Sequence, residues 1–172
     1  MKIETKNLIL RKFTMNDVKD TFEYLSQRAD AEFERWNIRS ISDAEKICEN
    51  RQKNEDFIAI ELKSEKKVIG NIYFSKQDFE SYEIGFIINT AYQRRGFCEE
   101  ACRALFEKLF ANGTHRIFAE CNSRNTASWK LLEKLGMRRE AHFVKNRYID
   151  TDVSGNPLWQ DTYVYALLIT DF

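Results

Sequence analysis

The spacing of apolar and polar positions in the first third of the chain predicts one strand followed by two helices. Leu8–Phe13 is predicted to be a strand, because apolar residues dominate it and a polar segment follows. Thr14–Asp17 and Ser42–Glu45 both fit the capping-box pattern, which predicts helices running to about residues 27 and 55. The segment 28–41 between them shows no clear period and is predicted to be a loop or a short helix.

The pattern changes twice further along the chain. Three apolar runs separated by short polar turns predict an antiparallel meander of Phe57–Leu62, Lys67–Phe74 and Tyr82–Ile88. A helix–strand–helix unit and two final strands follow, predicted at Glu99–Phe110, Arg116–Cys121, Thr126–Leu135 and in two long segments after Gly136. The order β-α-α-β-β-β-α-β-α-β-β predicts a mixed α/β (α+β) fold, and the absence of linker-like stretches predicts a single domain over residues 1–172.

Charge and composition exclude several classes of protein. Lys and Arg number 27 and so do Asp and Glu, so the chain lacks the net field that attracts nucleic acid or acidic membranes. The longest apolar run, Tyr163–Ile169, is too short to span a bilayer, and residues 1–6 lack the apolar core of a signal peptide. Four cysteines without a CxxC pair and only two histidines predict no metal site. We therefore expect a cytoplasmic, metal-free protein without nucleic-acid or membrane partners.

The segment 88–101 is the first of two segments whose residues suggest a binding or catalytic role. It joins the end of a strand to the start of a helix through Gln93–Cys98, a turn that holds two arginines and one glycine. The free N–H groups of a helix's first turn bind anions, and a glycine lets the backbone approach a phosphate closely. A solvated basic turn that only caps the helix is the alternative interpretation.

The segment 121–137 is the second segment whose residues suggest a binding or catalytic role. Asn125 occupies the expected N-cap of the following helix, and Ser128 lies three residues later. Capping alone accounts for the asparagine, and a first-turn serine is common in helices.

Together these segments resemble the GNAT superfamily of acyl-CoA N-acyltransferases. Gln93–Cys98 is similar to its Q/R-x-x-G-x-G/A pyrophosphate loop, and Asn125-x-x-Ser128 with Glu133–Met137 resembles its N-x-x-S…E-K-L-G-F segment. Leu8–Arg11 and Trp159–Asp161 resemble the RimJ/RimL branch, the ribosomal-protein N-terminal acetyltransferases. The resemblance covers nearly the whole chain. It implies a mostly antiparallel sheet of about seven strands with about four helices, and acetyl-CoA as co-substrate.

The resemblance also implies roles for individual residues. The pyrophosphate would be held by the loop residues Gln93, Arg94, Arg95, Gly96, Phe97 and Cys98, where Cys98 replaces the usual Gly or Ala. The pantetheine arm would lie along the backbone of Phe86 and Ile88, with Asn125 on its other side, and an N–H near Ile88 would bind the oxyanion. Many members have a general-acid Tyr seven residues after the Asn, but this chain has Leu132, so Ser128 becomes the candidate acid.

The general base is open between three choices. Glu83 on the strand before the loop is the preferred candidate, either directly or through a water. Glu100 is the second, although a first-turn glutamate also stabilises the helix dipole, and a water alone is the third. Cys121 as a covalent nucleophile is disfavoured, because no His lies near it in sequence and such cysteines are usually buried.

The expected reaction is acetyl transfer to a primary amine, on a protein N-terminus or a small molecule, by direct attack. The alternatives are an acetyltransferase for an antibiotic or polyamine and a non-catalytic acyl-CoA-binding sensor. No acidic cluster besides Asp150 and Asp152 stands out, which disfavours a polyamine. Pairing of exposed final strands makes a homodimer an expectation of the resemblance. The residues expected at an acceptor pocket are Phe33, Trp36, Tyr148, Trp159 and Asp161.

Overall fold

The structure is a computed structural model that describes residues 1–27, 32–36 and 38–172. Its strands are β1 (Ile3–Glu4), β2 (Leu8–Arg11), β3 (Phe57–Leu62), β4 (Lys67–Gln77), β5 (Ser81–Ile88), β6 (Arg116–Asn122), β7 (Arg138–Arg147) and β8 (Gln160–Leu168). Its α-helices are α1 (Val18–Ser26), α2 (Ile41–Lys53), α3 (Phe97–Ala111) and α4 (Thr126–Lys134). The element order matches the sequence prediction, with the short β1 in addition.

One sheet contains all eight of these strands, in the order β1-β2-β3-β4-β5-β6-β8-β7. Neighbouring strands are antiparallel except β5 and β6, which run parallel and are connected by α3. The predicted mixed, mostly antiparallel sheet with four helices is therefore confirmed. The eighth strand is β1, which pairs with β2 over only two residues and is too short to produce an alternating pattern.

The helices cover both faces of the sheet and enclose two apolar cores. On one face, α3 and α4 pack over the sheet, with Leu105, Phe106 and Leu132 fully buried. On the other face, α1 and α2 bury a second cluster that includes Tyr24 and Cys48. Side chains alternate between the two faces along a regular strand, so on β5 and β6 the parity of a residue decides which face it joins.

The N-terminal helices begin at capping boxes. Thr14 and Asp17 form the predicted one, and a 3₁₀ turn at Met15–Asp17 leads into α1. The second box is Ser40 with Asp43, two residues before the predicted Ser42, because the backbone is still extended at Ser40 (φ −143°, ψ 162°). Within the predicted loop 28–41, residues 28–31 and 37 lie outside the described residues. Among the described helices, none combines the length and apolar character that crossing a membrane requires.

Candidate active site

The sheet opens between its two central strands. The parallel pairing of β5 with β6 runs from Ser81–Arg116 to Glu83–Phe118 and, in the described part of the chain, ends there. Beyond this point β5 continues to pair with β4 as far as Ile88, while β6 continues to pair with β8. The two strands therefore diverge, and Glu83 is the last β5 residue before the gap.

The backbone of β5 faces this gap at alternate residues. The N–H of Asn89 donates to the carbonyl of Ile69 at 2.8 Å, which places Asn89 among the residues hydrogen-bonded to β4. Main-chain groups alternate in direction along an antiparallel strand, so those of Phe86 and Ile88 point away from β4 and towards β6. The side-chain amide of Gln93 donates to the carbonyl of Ile88 at 3.3 Å, on that side. Phe86 and Ile88 thus present main-chain groups where an extended ligand can pair with β5.

The loop Gln93–Cys98 is shaped to bind an anion. Arg94 (φ 58°) and Gly96 (φ 83°) both have left-handed backbone conformations, and such turns direct successive N–H groups into a concave nest. Gly96 is the N-cap of α3 and supplies no side-chain cap, so the first-turn N–H groups stay available. The guanidinium of Arg95 packs over the rings of Tyr92 and Phe97, 5.4 and 4.9 Å from their centroids. The loop therefore combines free donors, positive charge and the positive end of a 15-residue helix.

The start of α4 lies at the end of β6, on the same face of the sheet as α3. The side-chain oxygen of Asn125 accepts a hydrogen bond from the N–H of Ser128 at 3.2 Å, which is the predicted capping role. The Ser128 hydroxyl contacts the thiol of Cys121. Leu132, at the position where the sequence resemblance would lead one to expect a tyrosine, is fully buried in the core. Ser128 is partly exposed, and its contact with Cys121 places its hydroxyl at the end of β6, near the gap.

Cys121 is unsuited to nucleophilic attack. Burial raises the pKa of its thiol to about 11, so the reactive thiolate is scarce at neutral pH. We expect Cys121→Ser to keep wild-type turnover within about threefold, because the smaller hydroxyl leaves the packing largely intact. Steady-state kinetics and intact-mass analysis after incubation with acetyl-CoA measure this. Loss of activity together with an acetylated cysteine in the wild type would reverse the conclusion.

A cavity of about 430 Å³ lies on the opposite face of the sheet, beside the gap. Glu83 and Glu120 both line it, since each has the parity that directs its side chain away from the α3–α4 core. Glu34 and the cationic Arg35 and Arg147 line it as well. Three glutamates from distant segments therefore line one cavity, which corrects the expectation that no acidic cluster besides Asp150 and Asp152 exists and removes that argument against a polyamine.

Glu83 has the electrostatic properties of a general base. Burial raises the pKa of its carboxyl above the ordinary value of 4.5, and the negative charge of Glu120 raises it further. A raised pKa makes the carboxylate a stronger base, closer to the range that proton transfer near neutral pH requires.

Glu100 is engaged elsewhere. Its carboxylate accepts hydrogen bonds from the backbone and side-chain N–H groups of Asn7, both at 2.8 Å, and from the hydroxyl of Thr5. Burial acts to raise the pKa of Glu100, but these hydrogen bonds outweigh it and hold the pKa below its ordinary value. Glu100 therefore anchors the segment between β1 and β2 to the start of α3, and its geometry does not favour it as the base.

The residues predicted for an acceptor pocket do not come together. Trp36 lines the cavity. Tyr148 and Trp159 pack edge-on against each other with centroids 5.3 Å apart, and Asp161 binds His142 at 2.7 Å on the β7–β8 pair. The carbonyl of Phe33 accepts a long hydrogen bond from Arg147 at 3.5 Å.

Sequence reasoning missed Glu120 and Arg147 as cavity residues. Glu120 is the one charged residue within the stretch Ile117–Cys121 of β6, and this break in pattern is the signal that could have identified it. Arg147 gives no such signal, because it reaches the cavity from the far edge of the sheet. The described residues contain no group of three or more His, Cys, Asp or Glu side chains that could hold a metal ion, and the absence of a metal stays a prediction.

Comparison with known proteins gives consistent matches. The sequence model of the acetyltransferase (GNAT) domain matches residues 7–138. An uncharacterized N-acetyltransferase, YnaD from Bacillus subtilis, is 34% identical over 98% of this chain and 97% of its own. The crystal structure of a GNAT-family acetyltransferase from Bacillus anthracis is 31% identical, covers 99% of both chains and superposes with a TM-score of 0.84. The ribosomal alpha-N-protein acetyltransferase RimL, in complex with coenzyme A, is 17% identical over the full length of both chains, with a TM-score of 0.83.

Proposed function

Because the chain belongs to the GNAT acetyltransferase family and is an acetyl-CoA-dependent N-acetyltransferase, we propose that it acetylates a primary amine by direct attack in a ternary complex. The observation that carries this mechanism is the gap between β5 and β6, which has Glu83 on one side and Ser128 on the other. Two substrates can meet in such a gap from opposite faces of the sheet. No acyl-enzyme is then required.

Acetyl-CoA fits the face that carries α3 and α4. Its pyrophosphate would bind the nest at Gln93–Cys98, where the backbone N–H groups and Arg94 and Arg95 supply positive charge. The pantetheine arm would pair with the main chain of Phe86 and Ile88 and pass Asn125. A bound thioester would then lie close to Glu83 at the vertex of the gap.

The first step is activation of the amine. An ammonium group has no lone pair, so a proton must leave the nitrogen before it attacks the thioester carbon. Glu83 takes this proton, directly or through a water, and its raised pKa suits the task. Glu120 adds negative charge that attracts the ammonium form into the cavity.

The remaining steps transfer charge to the leaving group. Attack of the nitrogen forms a tetrahedral intermediate, and a main-chain N–H near Ile88 donates to its oxyanion, an interaction worth about 3 kcal/mol per donor in other enzymes. During collapse the nitrogen releases its extra proton to water, the amide forms and the carbon–sulfur bond breaks. The thiolate takes a proton from a water bound to Ser128, or from Ser128 while that water returns a proton to the serine, since Leu132 cannot supply one.

The experiment that tests this function is a screen for coenzyme A release from acetyl-CoA with peptide N-termini and small amines. Ser128→Ala is expected to lower kcat about tenfold at unchanged acetyl-CoA affinity, because the serine acts on the departing thiolate. Wild-type kcat in the variant would assign the proton to solvent. An acyl-CoA sensor would bind acetyl-CoA, acetylate none of the amines and be indifferent to the substitution.

The physiological setting is also part of the proposal. The fold likeness to RimL supports the RimJ/RimL branch and a protein N-terminus as one acceptor class, alongside small-molecule amines. A cytoplasmic location, and a homodimer formed through the final strands, stay predictions.

A further inference from the structure

A buried arginine lies behind the wall of the cavity that contains Glu83. The Arg51 side chain extends from α2 and is only 2% exposed. Burying a guanidinium costs several kcal/mol unless an opposite charge and hydrogen bonds compensate it. The contacts of Arg51 therefore determine whether the protein alone can compensate this charge.

The contacts are polar and aromatic but not anionic. Nη1 of Arg51 donates to the Tyr24 hydroxyl at 2.7 Å and to the side-chain oxygen of Asn71 at 3.1 Å. The rings of Phe57, Phe13 and Trp36 lie 4.7, 5.2 and 5.4 Å from its central carbon. Burial raises the pKa of Tyr24 to about 12, so this hydroxyl stays neutral.

The other end of the guanidinium lacks a partner. Among the described residues, Nη2 of Arg51 is buried and makes no hydrogen bond, and no carboxylate forms an ion pair with this arginine. Cation–π contacts with three rings offset part of the cost of burial but leave the N–H groups unsatisfied. An anionic oxygen at Nη2 would satisfy both the charge and the donors.

The cavity lies next to this position, and the side chains of Trp36 and Phe57 separate it from the buried Nη2. Trp36, Phe57 and Asn71, which line the cavity, all contact the Arg51 guanidinium. Asn71 pairs with Ile87 on β5, four residues from Glu83, which is about 13 Å along the sheet at the spacing of a strand. The cavity therefore has a cationic group behind one end and the candidate base at the other.

We propose that the acceptor carries an anionic oxygen group, a carboxylate or a phosphate, in addition to its amine. This group reaches Nη2 of Arg51 when the partly exposed side chains of Trp36 and Phe57 move apart, while the amine faces Glu83. The inference rests on the proposed function, because it assigns the cavity to the acceptor. It names the acceptor class as amines with a separate anionic group, in contrast to polyamines.

The test compares acceptors that differ in one charge. Because the two sites lie about 13 Å apart along the sheet, the probes must be long. The peptide amides Gly-Gly-Gly-Asp and Gly-Gly-Gly-Asn form the carboxylate pair, and 8-aminooctyl phosphate with 8-aminooctanol forms the phosphate pair. The wild type should favour the anionic member of at least one pair by about 30-fold in kcat/KM, and Arg51→Met should reduce this preference to within threefold. The pair that shows the preference identifies carboxylate or phosphate.

Two controls keep the result interpretable. Thermal melting and acetyl-CoA affinity report whether Arg51→Met still folds, and Arg51→Lys, which keeps the charge without the planar fork, replaces it if the Met variant melts. The side-chain N–H signal of Arg51 in NMR, assigned with the Lys variant, reports anion binding without turnover. It should shift with an anionic probe and stay in place with its neutral counterpart.

The outcomes separate the two proposals. A shifted Arg51 signal without acetylation of any amine would refute the transfer function but retain the anion subsite. Acetylation of both members of each pair at equal rates, with an unmoved Arg51 signal, would overturn the subsite and retain the function.

Discussion

Replacing Glu83 by Gln is expected to lower kcat by about 100-fold or more, the usual cost of removing a general base. Gln keeps the volume of the side chain and its position at the vertex of the β5–β6 gap, but it cannot take a proton. Acetyl-CoA affinity should be unchanged, because the candidate cofactor contacts lie at other residues. Steady-state kinetics at pH 8 with calorimetric measurement of acetyl-CoA binding check both parts.

The pH dependence gives a second readout of Glu83. The base acts in its deprotonated form, so the rate should fall as pH drops through the Glu83 pKa, which lies above 4.5. Glu83→Gln should remove this fall in rate, which is the acidic limb of the pH–rate profile. Glu120→Gln is the matched substitution: it removes a negative charge that raises the Glu83 pKa, so the limb should move to lower pH. A wild-type limb in Glu83→Gln would exclude Glu83 and leave a water as the base.

Replacing Gly96 by Glu is expected to weaken acetyl-CoA binding by about 100-fold or more, which corresponds to about 3 kcal/mol. A β-carbon added at Gly96 meets no atom of another segment within 4 Å, so the new side chain extends into open space at the loop where the pyrophosphate is proposed to bind. Its negative charge also opposes the phosphates. Calorimetric titration with acetyl-CoA measures the loss.

Gly113 is the matched control for this substitution. It has nearly the same positive φ, 88° against 83°, and an added β-carbon there also meets nothing within 4 Å. Gly113→Glu therefore carries a similar backbone strain and the same charge at the opposite end of α3. It should bind acetyl-CoA as the wild type does. Equal losses in both variants would attribute the effect to folding and contradict the loop assignment.

The features that could be predicted from the sequence are those that depend only on residues adjacent along the chain. The element order follows from local periodicity, and the loop Gln93–Cys98 and the Asn125 cap are short segments whose backbone acts as a unit. The N-cap of α2 could not be assigned from the sequence, because Ser40 with Asp43 and Ser42 with Glu45 both fit the capping-box pattern. Only the extended backbone at Ser40 decides between them.

The acceptor cavity depends on contacts between distant segments. Glu83 and Glu120 are 37 residues apart, and they approach only because β5 and β6 are paired up to Phe118 and then separate. Arg51 lies on a helix with a strongly polar sequence, where an arginine is normally solvated, and its burial results from packing against Phe13, Trp36 and Phe57. Aromatic residues such as Tyr148 and Trp159 were predicted for the pocket by type alone, and they instead pack against each other.

The central claim, that the gap and its loop hold acetyl-CoA by its phosphates and its pantetheine arm, is tested most directly by calorimetric titration of the wild-type protein. Acetyl-CoA, 3′-dephospho-acetyl-CoA and pantetheine are compared under the same conditions. We expect saturable binding of both nucleotide forms and binding of pantetheine that is at least about 100-fold weaker, because pantetheine lacks the pyrophosphate. Equal affinity for all three would contradict the role of the Gln93–Cys98 loop, and no binding of acetyl-CoA would contradict the site as a whole.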